Sequence, residues 1–363
     1  MKKVFLYAYD RQNLGDDLFV HTITKRYPHV RFYIWTDKAN RETFRCLPNL
    51  KVVDGNSRFV RFLRWLRPSL SVRYYYGLIR RCEAMVYIGG SIFIEYPNWE
   101  MICDGWEYKA ENFPYYVMGA NFGPWHSEGY RDRMDRIFGK MQDVCFRDQY
   151  SHSLFPDNEK VRCAPDILYA YPMPKVAVNE KQVFVSAIDC ASRDDSHGLQ
   201  SRDEQYVNRM AALLTRYLQA GHTLVLSSFC KVEGDEQGIQ RILATMGCEN
   251  DPRIRVLHYN GTNVDQVIEA IASSGLVIAT RFHATILALA AGRPVLPLIY
   301  SDKTRYVLED LGFAGTMYDI RRDGDWEMTE GTVLDVEQAK IHAQEHFKKL
   351  DEVLFDKNKA PFW

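Results

Sequence analysis

The stretch that decides the fold is 275–300, "GLVIATRFHATILALAAGRPVLPLIY". It opens with a β-branched run, turns at Thr280–Arg281, and continues as an apolar, small-residue segment of helical length that Gly292 closes. A second apolar run follows Pro294. Strand, helix and strand in that order predict two parallel strands joined by a crossover helix.

Working outward, the same alternation fills the chain. "KVFLYAY" (3–9), "HVRFYIW" (29–35), "AMVYIGG" (84–90), "FPYYVMGA" (113–120) and "DVCFRD" (143–148) form a first series of strand-like runs. "KQVFVSAI" (181–188), "HTLVLSS" (222–228) and "RIRVLHY" (253–259) continue a second series, with a helical stretch from Asp203 to Gln219 ended by Gly221. Between the two lies "APDILYAYPMPKVAVNEK" (164–181), whose three prolines mark a hinge around 170–180. The expected architecture is α/β, with two lobes facing a cleft. One lobe spans 1–172 and the other 180–330. A polar loop, "RRDGDWEMTEGT", precedes a last helix from about Val336 to Leu350, and a tail completes 331–363.

Composition narrows the function. The chain has 363 residues, is 46% hydrophobic and 26% charged, and carries a net charge of -1, which is no footprint of a nucleic-acid-binding protein. The eight cysteines form no C-x-x-C pair and read as reduced thiols, not as a zinc or redox motif. Asp10 and Arg11 break the first apolar run, and charges interrupt every later one short of the ~20 residues that span a bilayer. The expected location is therefore cytoplasmic, with any membrane contact peripheral at the inner face.

In open parallel sheets, ligands bind beyond the carboxyl ends of strands, where helix N-termini offer N–H groups and a positive dipole end. Arg281 and His283 fall there, and Lys303 falls in the first turn after the next strand. Cations at a helix start oppose the dipole unless an anion sits between them. Asp302 is the one acid in 280–303. The competing reading is that Arg281 pairs with a surface carboxylate, His283 bonds a loop and Lys303 is solvated. Asn13, Gly15, Asp16 and Asp17 follow the first strand, and there the acids also suit ordinary capping. Gly89 and Gly90 allow close backbone approach. Arg147 and Asp148 end another strand.

Taken in order, "NLGDD", "IGGS", "FRDQYS", "APDI" and "TRFHATILALAAGRPVLPLIYSDK" resemble the polysaccharide pyruvyl transferase family over about residues 10–312. The most specific element is the last, an Arg, an aromatic and a His before a small-residue helix, Gly-x-Pro, a strand and a Lys. The resemblance implies two Rossmann-like lobes similar to GT-B glycosyltransferases. It also implies transfer of pyruvate from phosphoenolpyruvate to two hydroxyls of one sugar, in a cell-surface polysaccharide or lipid-linked precursor, forming a ketal and releasing phosphate.

That chemistry requires fixed cations for a carboxylate and a phosphate, and guanidinium groups suit both. Arg281 and Arg147 are the expected donor clamps, assisted by Lys303, with Asn13, Gly15, Gly89, Gly90 and Ser91 in the substrate-contacting loops. An imidazole titrates near neutrality, so His283 is the expected acid, and Asp16 or Asp17 the expected base. No metal and no cofactor beyond the donor is called for. Arg281→Ala and His283→Ala are expected to abolish transfer without unfolding the protein.

Two other functions share the architecture. One is a GT-B glycosyltransferase using a nucleotide sugar, which the acid-free stretch 281–301 disfavours. The other is a non-catalytic glycan- or anion-binding protein. "RDGDW" holds a D-x-D, but in a Gly-containing polar loop that reads as a turn. Finally, segment 58–81 interleaves seven arginines with Phe, Trp, Tyr and Leu. That composition suits an anionic membrane surface, where a lipid-linked acceptor would lie. The i, i+3 spacing of its arginines favours the reading in which the apolar residues pack on the sheet and the arginines are solvated. The oligomeric state is not encoded in any motif.

Overall fold

The computed structural model describes residues 1–37, 40–193 and 198–355. The chain divides into two compact units: residues 1–10, 16–170 and the return from Ile341 make the first, and residues 11–15 and 171–340 make the second.

The first unit is built on β1 (Lys3–Tyr7), β2 (Arg31–Thr36), β3 (Leu50–Asp54), β4 (Ala84–Ile88), β5 (Ser91–Phe93), β6 (Tyr115–Phe122), β7 (Asp143–Phe146) and β8 (Val161–Cys163). Their order is β3-β2-β1-β4-β6-β7-β8, with β5 paired to β6. The pairs are parallel, for example Phe5 opposite Tyr33 on one side and Met85 on the other. Strands buried on both faces must be apolar throughout, and β6 is buried at every position. Helices α1 (Leu14–Arg26), α2 (Arg58–Leu66), α3 (Pro68–Ile79), α4 (Trp99–Asn112), α5 (Glu128–Lys140) and α6 (Gln149–Ser153) connect these strands. The core is aromatic, with Phe93, Phe122, Phe138, Phe146 and Phe155 in mutual contact at ring separations such as 4.9 Å for Phe122–Phe155.

The second unit has β9 (Asn179–Ser186), β10 (Thr223–Ser228), β11 (Ile254–His258), β12 (Ser274–Ala279), β13 (Val295–Ile299) and β14 (Tyr318–Asp319). Their order, β11-β10-β9-β12-β13-β14, is the Rossmann order, and it reverses direction between β9 and β12. Helices α7 (Asp203–Gln219), α8 (Asp235–Met246), α9 (Val264–Ala272), α10 (Phe282–Ala290) and α11 (Asp302–Asp310) cross between them, and α12 (Glu337–Ala343) and α13 (Lys348–Leu354) close the chain. Both termini foreseen from glycine form as expected. Past α10, Gly292 takes φ +65° and Arg293 N donates to Ala288 O at 2.9 Å. Past α7, Gly221 takes φ +82° and His222 N donates to Tyr217 O at 3.0 Å. Each is a Schellman ending, in which a left-handed glycine lets the next N–H reach back to an orphan carbonyl.

Two expectations differ. The helix foreseen over 336–350 is interrupted by a tighter turn at Gln344–Phe347, where His346 and Phe347 are fully buried in the first unit. There His346 Nε2 donates to Pro165 O at 2.8 Å. Of segment 58–81, α3 packs on the sheet as expected, with Tyr75 5.4 Å from Phe5 and Ile79 buried, but α2 does not lay its apolar residues there. Val60 is buried, while Phe59, Phe62, Trp65 and Leu66 face solvent. The aromatic tail at Phe362–Trp363 lies outside the described residues.

Candidate functional site

In the second unit the chain leaves β9, β10, β12 and β13 at the same edge of the sheet, and their exits carry the ionisable residues. The exit of β12 supplies Arg281, whose backbone N donates to Ser186 Oγ at the end of β9 (3.1 Å). Its guanidinium is buried and fully engaged. Nε donates to Asp235 Oδ2 at 2.9 Å, Nη2 donates to Asp235 Oδ1, and Nη1 donates to Glu233 Oε2 at 2.5 Å. Asp235 opens α8 and is itself fully buried, accepting Phe229 N and Cys230 N at 2.9 Å each. Burial would pull the Arg281 guanidinium down, but the two carboxylates hold it well above its ordinary value.

The acids missing from 281–301 are thus supplied by the exit of β10. Glu233 bridges two guanidiniums, since Arg193 Nη1 also lies 2.8 Å from its Oε2. Burial pushes the Glu233 carboxyl up, but Arg281 and Arg193 outweigh it and bring it to about 2. Arg193 stacks over the Tyr300 ring at 5.6 Å. Its Nε and Nη2 are buried and make no hydrogen bond among the described residues, although Nη2 lies 4.0 Å from Asp235 Oδ1, within ion-pair range. Lys303, in the first turn of α11, lies 6.0 Å from the Phe282 ring. Burial raises the Tyr300 phenol, yet Arg193, Lys303 and Arg281 together bring it below the ordinary tyrosine value. Such a lowering in a buried phenol means that the three cations outweigh both burial and the Glu233 carboxylate at this ring.

His283 sits in the first turn of α10, packed so closely on Gly15 that a β-carbon there would stand 1.6 Å from its Nδ1. Glycine at 15 is therefore a steric requirement of the imidazole's position. Asn13 holds this loop: its Oδ1 accepts Gly15 N at 3.2 Å and its Nδ2 donates to Glu233 Oε1 at 3.4 Å. Gln12, just before it, takes φ +51°, a left-handed conformation that a non-glycine residue adopts only under constraint.

In the first unit, Arg147 ends β7 with its side chain 1% exposed. Nη1 donates to Asp166 Oδ2 at 3.1 Å and Nη2 to Asn121 Oδ1 at 2.7 Å, the oxygen that also accepts Ser91 Oγ at 3.1 Å. A β-carbon on Gly90 would meet this guanidinium at 2.8 Å. Arg147, Gly89, Gly90 and Ser91 thus form one buried assembly shaping the loop after β4. Asp148 caps α6 through Ser151 N at 2.8 Å. Asp17 is fully buried, whereas Asp16 is half-buried in the first turn of α1. In the "RDGDW" loop, Asp323 accepts from Arg202 Nη1 at 2.6 Å, which ties down the D-x-D. Among the described residues no group of His, Cys, Asp and Glu has metal-binding geometry.

The family model for polysaccharide pyruvyl transferase matches residues 13–302, spanning both glycine loops, Arg147 and the Arg281–His283 helix start. The chain belongs to the polysaccharide pyruvyl transferase family. Within reach of that family, the amylovoran biosynthesis protein AmsJ of Erwinia amylovora is 19% identical over 312 residues, or 80% of this chain and 74% of AmsJ. Among solved structures, HepE of Anabaena in complex with UDP and glucose is 14% identical with a TM-score of 0.55, covering 98% of this chain and 97% of HepE. UDP-GlcNAc 2-epimerase of Neisseria meningitidis, bound to UDP-GlcNAc, is 12% identical with a TM-score of 0.52, covering 98% and 93%. At these identities the likeness carries the fold alone: this pyruvyl transferase family member is α/β and GT-B-like, with two Rossmann-like units.

Sequence reasoning missed Arg193, Glu233, Asp235 and Tyr300. Glu233 and Asp235 stand at the start of a helix, where acids are ordinary. Their partner Arg281 is 46 and 48 residues away, a pairing no local pattern encodes. The available signal was positional, since "CKVEGD" (230–235) directly follows a strand.

Proposed function

We propose that the protein transfers pyruvate from phosphoenolpyruvate to two hydroxyls of one sugar in a cell-surface polysaccharide or lipid-linked precursor, forming a ketal. The observation that carries this reading is the cationic edge of the second unit, where Arg193, Lys303 and Arg281 act on a buried Tyr300 in a chain of the pyruvyl transferase family. A small donor bearing a carboxylate and a phosphate suits it.

Roles follow from what each group has left to offer. Arg281 is committed to Asp235 and Glu233, so it acts as a positioning residue that anchors the acids and fixes the start of α10. Arg193, anchored by Glu233 and lying over the Tyr300 ring, takes the clamping role. Lys303 adds a second cation near the leaving phosphate. Arg147 is sealed behind Asn121 and Asp166, and acts by holding the Gly90–Ser91 loop. His283 gives a proton to the donor's methylene carbon, making a methyl group and leaving the adjacent carbon electrophilic. One acceptor hydroxyl adds there and gives its proton to the base, phosphate departs with its C–O bonding pair, and the second hydroxyl closes the ketal as its proton restores His283. Fixed cations stabilise the charge on the departing phosphate. Of the two first-turn acids, Asp16 has the solvent access a base requires.

The test is incubation of the protein with phosphoenolpyruvate or UDP-sugars and a panel of galactosides, mannosides and N-acetylmannosamine glycosides. Acceptor-dependent phosphate release is the expected result. Nucleoside diphosphate release would assign a glycosyltransferase instead, and binding without turnover a non-catalytic glycan- or anion-binding protein.

A further inference from the structure

Residues 55–82 contain seven arginines and neither an aspartate nor a glutamate, in a chain whose net charge is -1. The structure shows how this segment is displayed. Ser57 caps α2 through Val60 N (3.3 Å), and Arg64 Nη2 ties the helix back to Gly55 O (3.1 Å). Val60 is the one residue α2 buries. Its outer surface carries Trp65 at 78% exposure, Phe59 at 55%, Phe62 at 52% and Leu66 at 48%. Phe62 and Trp65 stack on each other at 6.1 Å, and with Arg58 and Arg61 they line a shallow depression. Arg58, Arg61, Arg67 and Arg73 form no ion pair among the described residues.

A water-soluble surface rarely leaves four large apolar side chains exposed on two helical turns. Tryptophan, phenylalanine and leucine tips flanked by unpaired guanidiniums match the interface of an anionic bilayer. There aromatic rings sit at headgroup depth and each basic residue gains from the negative surface potential. Among the described residues no helix is long and apolar enough to cross a membrane, and the contact inferred here is superficial. A nucleic-acid partner fits less well, because the exposed tips are apolar side chains projecting from a helix and not a basic groove. We infer that the outer face of α2, through Phe59, Phe62, Trp65 and Leu66 with Arg58 and Arg61, docks the protein on an anionic phospholipid surface. The inference is independent of the reaction proposed above.

The experiment is co-sedimentation of the full chain with vesicles of phosphatidylcholine alone and with about 30% phosphatidylglycerol, at ~0.1 M and ~0.5 M salt. Binding to the anionic vesicles at low salt, largely lost at high salt, is expected. Two double variants, Phe62→Ser with Trp65→Ser and Arg58→Glu with Arg61→Glu, should each reduce partitioning at least about tenfold while circular dichroism and melting stay unchanged. Wild-type protein left in the supernatant would overturn the inference, as would variants that bind like wild type or equal binding to neutral vesicles. A dimer of the free protein that the apolar variant dissolves, without vesicle binding, would assign the face to a second copy instead.

Discussion

Arg281 separates two roles that a sequence leaves joined. Its position at a strand end marked it as a ligand-binding cation, whereas its contacts make it the centre of a buried ion pair. Removing it leaves the buried Asp235 with two backbone donors and Arg193 Nη2 at 4.0 Å, a loss of about 3 kcal/mol, so Arg281→Ala should lower the melting temperature by roughly 10 °C. This revises the expectation of an inactive but stable variant, and an unchanged melting curve would contradict the ion pair. Gly15 gives a sharper probe of the imidazole. Gly15→Ala places a methyl group where His283 Nδ1 now stands. Turnover should fall by about 10- to 100-fold with little change in the KM for phosphoenolpyruvate, the size of effect expected from misplacing an acid. If kcat survives intact, His283 is not the proton donor.

At the scale of elements, the start and stop signals were legible because they are local: Gly221 and Gly292 ended their helices as glycines in left-handed conformations do. Which face of an amphipathic helix is covered is not local, and α2 shows the limit. Its arginine spacing favoured apolar residues packed on the sheet, and only the fold reveals that Phe59, Phe62, Trp65 and Leu66 are bare. The break at Gln344–Phe347 has the same origin, since the demand to bury His346 comes from Pro165, far off in sequence. That histidine also makes the element pH-sensitive. Burial drives its pKa from 6.5 to about 3, so the folded state holds it neutral. Its contribution to stability is complete above pH 6.5 and is lost as the pH falls toward 3. At pH 5 the loss amounts to about 2 kcal/mol. Thermal melts at pH 7.5 and 5 should record it, and His346→Gln should flatten the difference; an equally steep variant would assign the sensitivity elsewhere.

At the scale of the whole molecule, alternating strand and helix signals made the α/β class readable, because strands buried on both faces must be continuously apolar. Strand order was not readable. It follows from crossover handedness and sheet twist, which leave no mark on any single segment. Order is nonetheless what creates the second unit's site, for the reversal between β9 and β12 brings Arg193, Glu233 and Arg281 to one sheet edge. The central claim is that this edge holds a compact, highly charged donor. Calorimetric titration of the wild-type protein and Arg193→Ala with phosphoenolpyruvate and with UDP-glucose tests it without knowledge of the acceptor. Phosphoenolpyruvate should bind the wild type and weaken by about 10- to 100-fold in the variant, as loss of a charge-assisted pair implies, while UDP-glucose gives no heat. Binding of UDP-glucose in place of phosphoenolpyruvate, or equal phosphoenolpyruvate affinity in both proteins, would contradict the account.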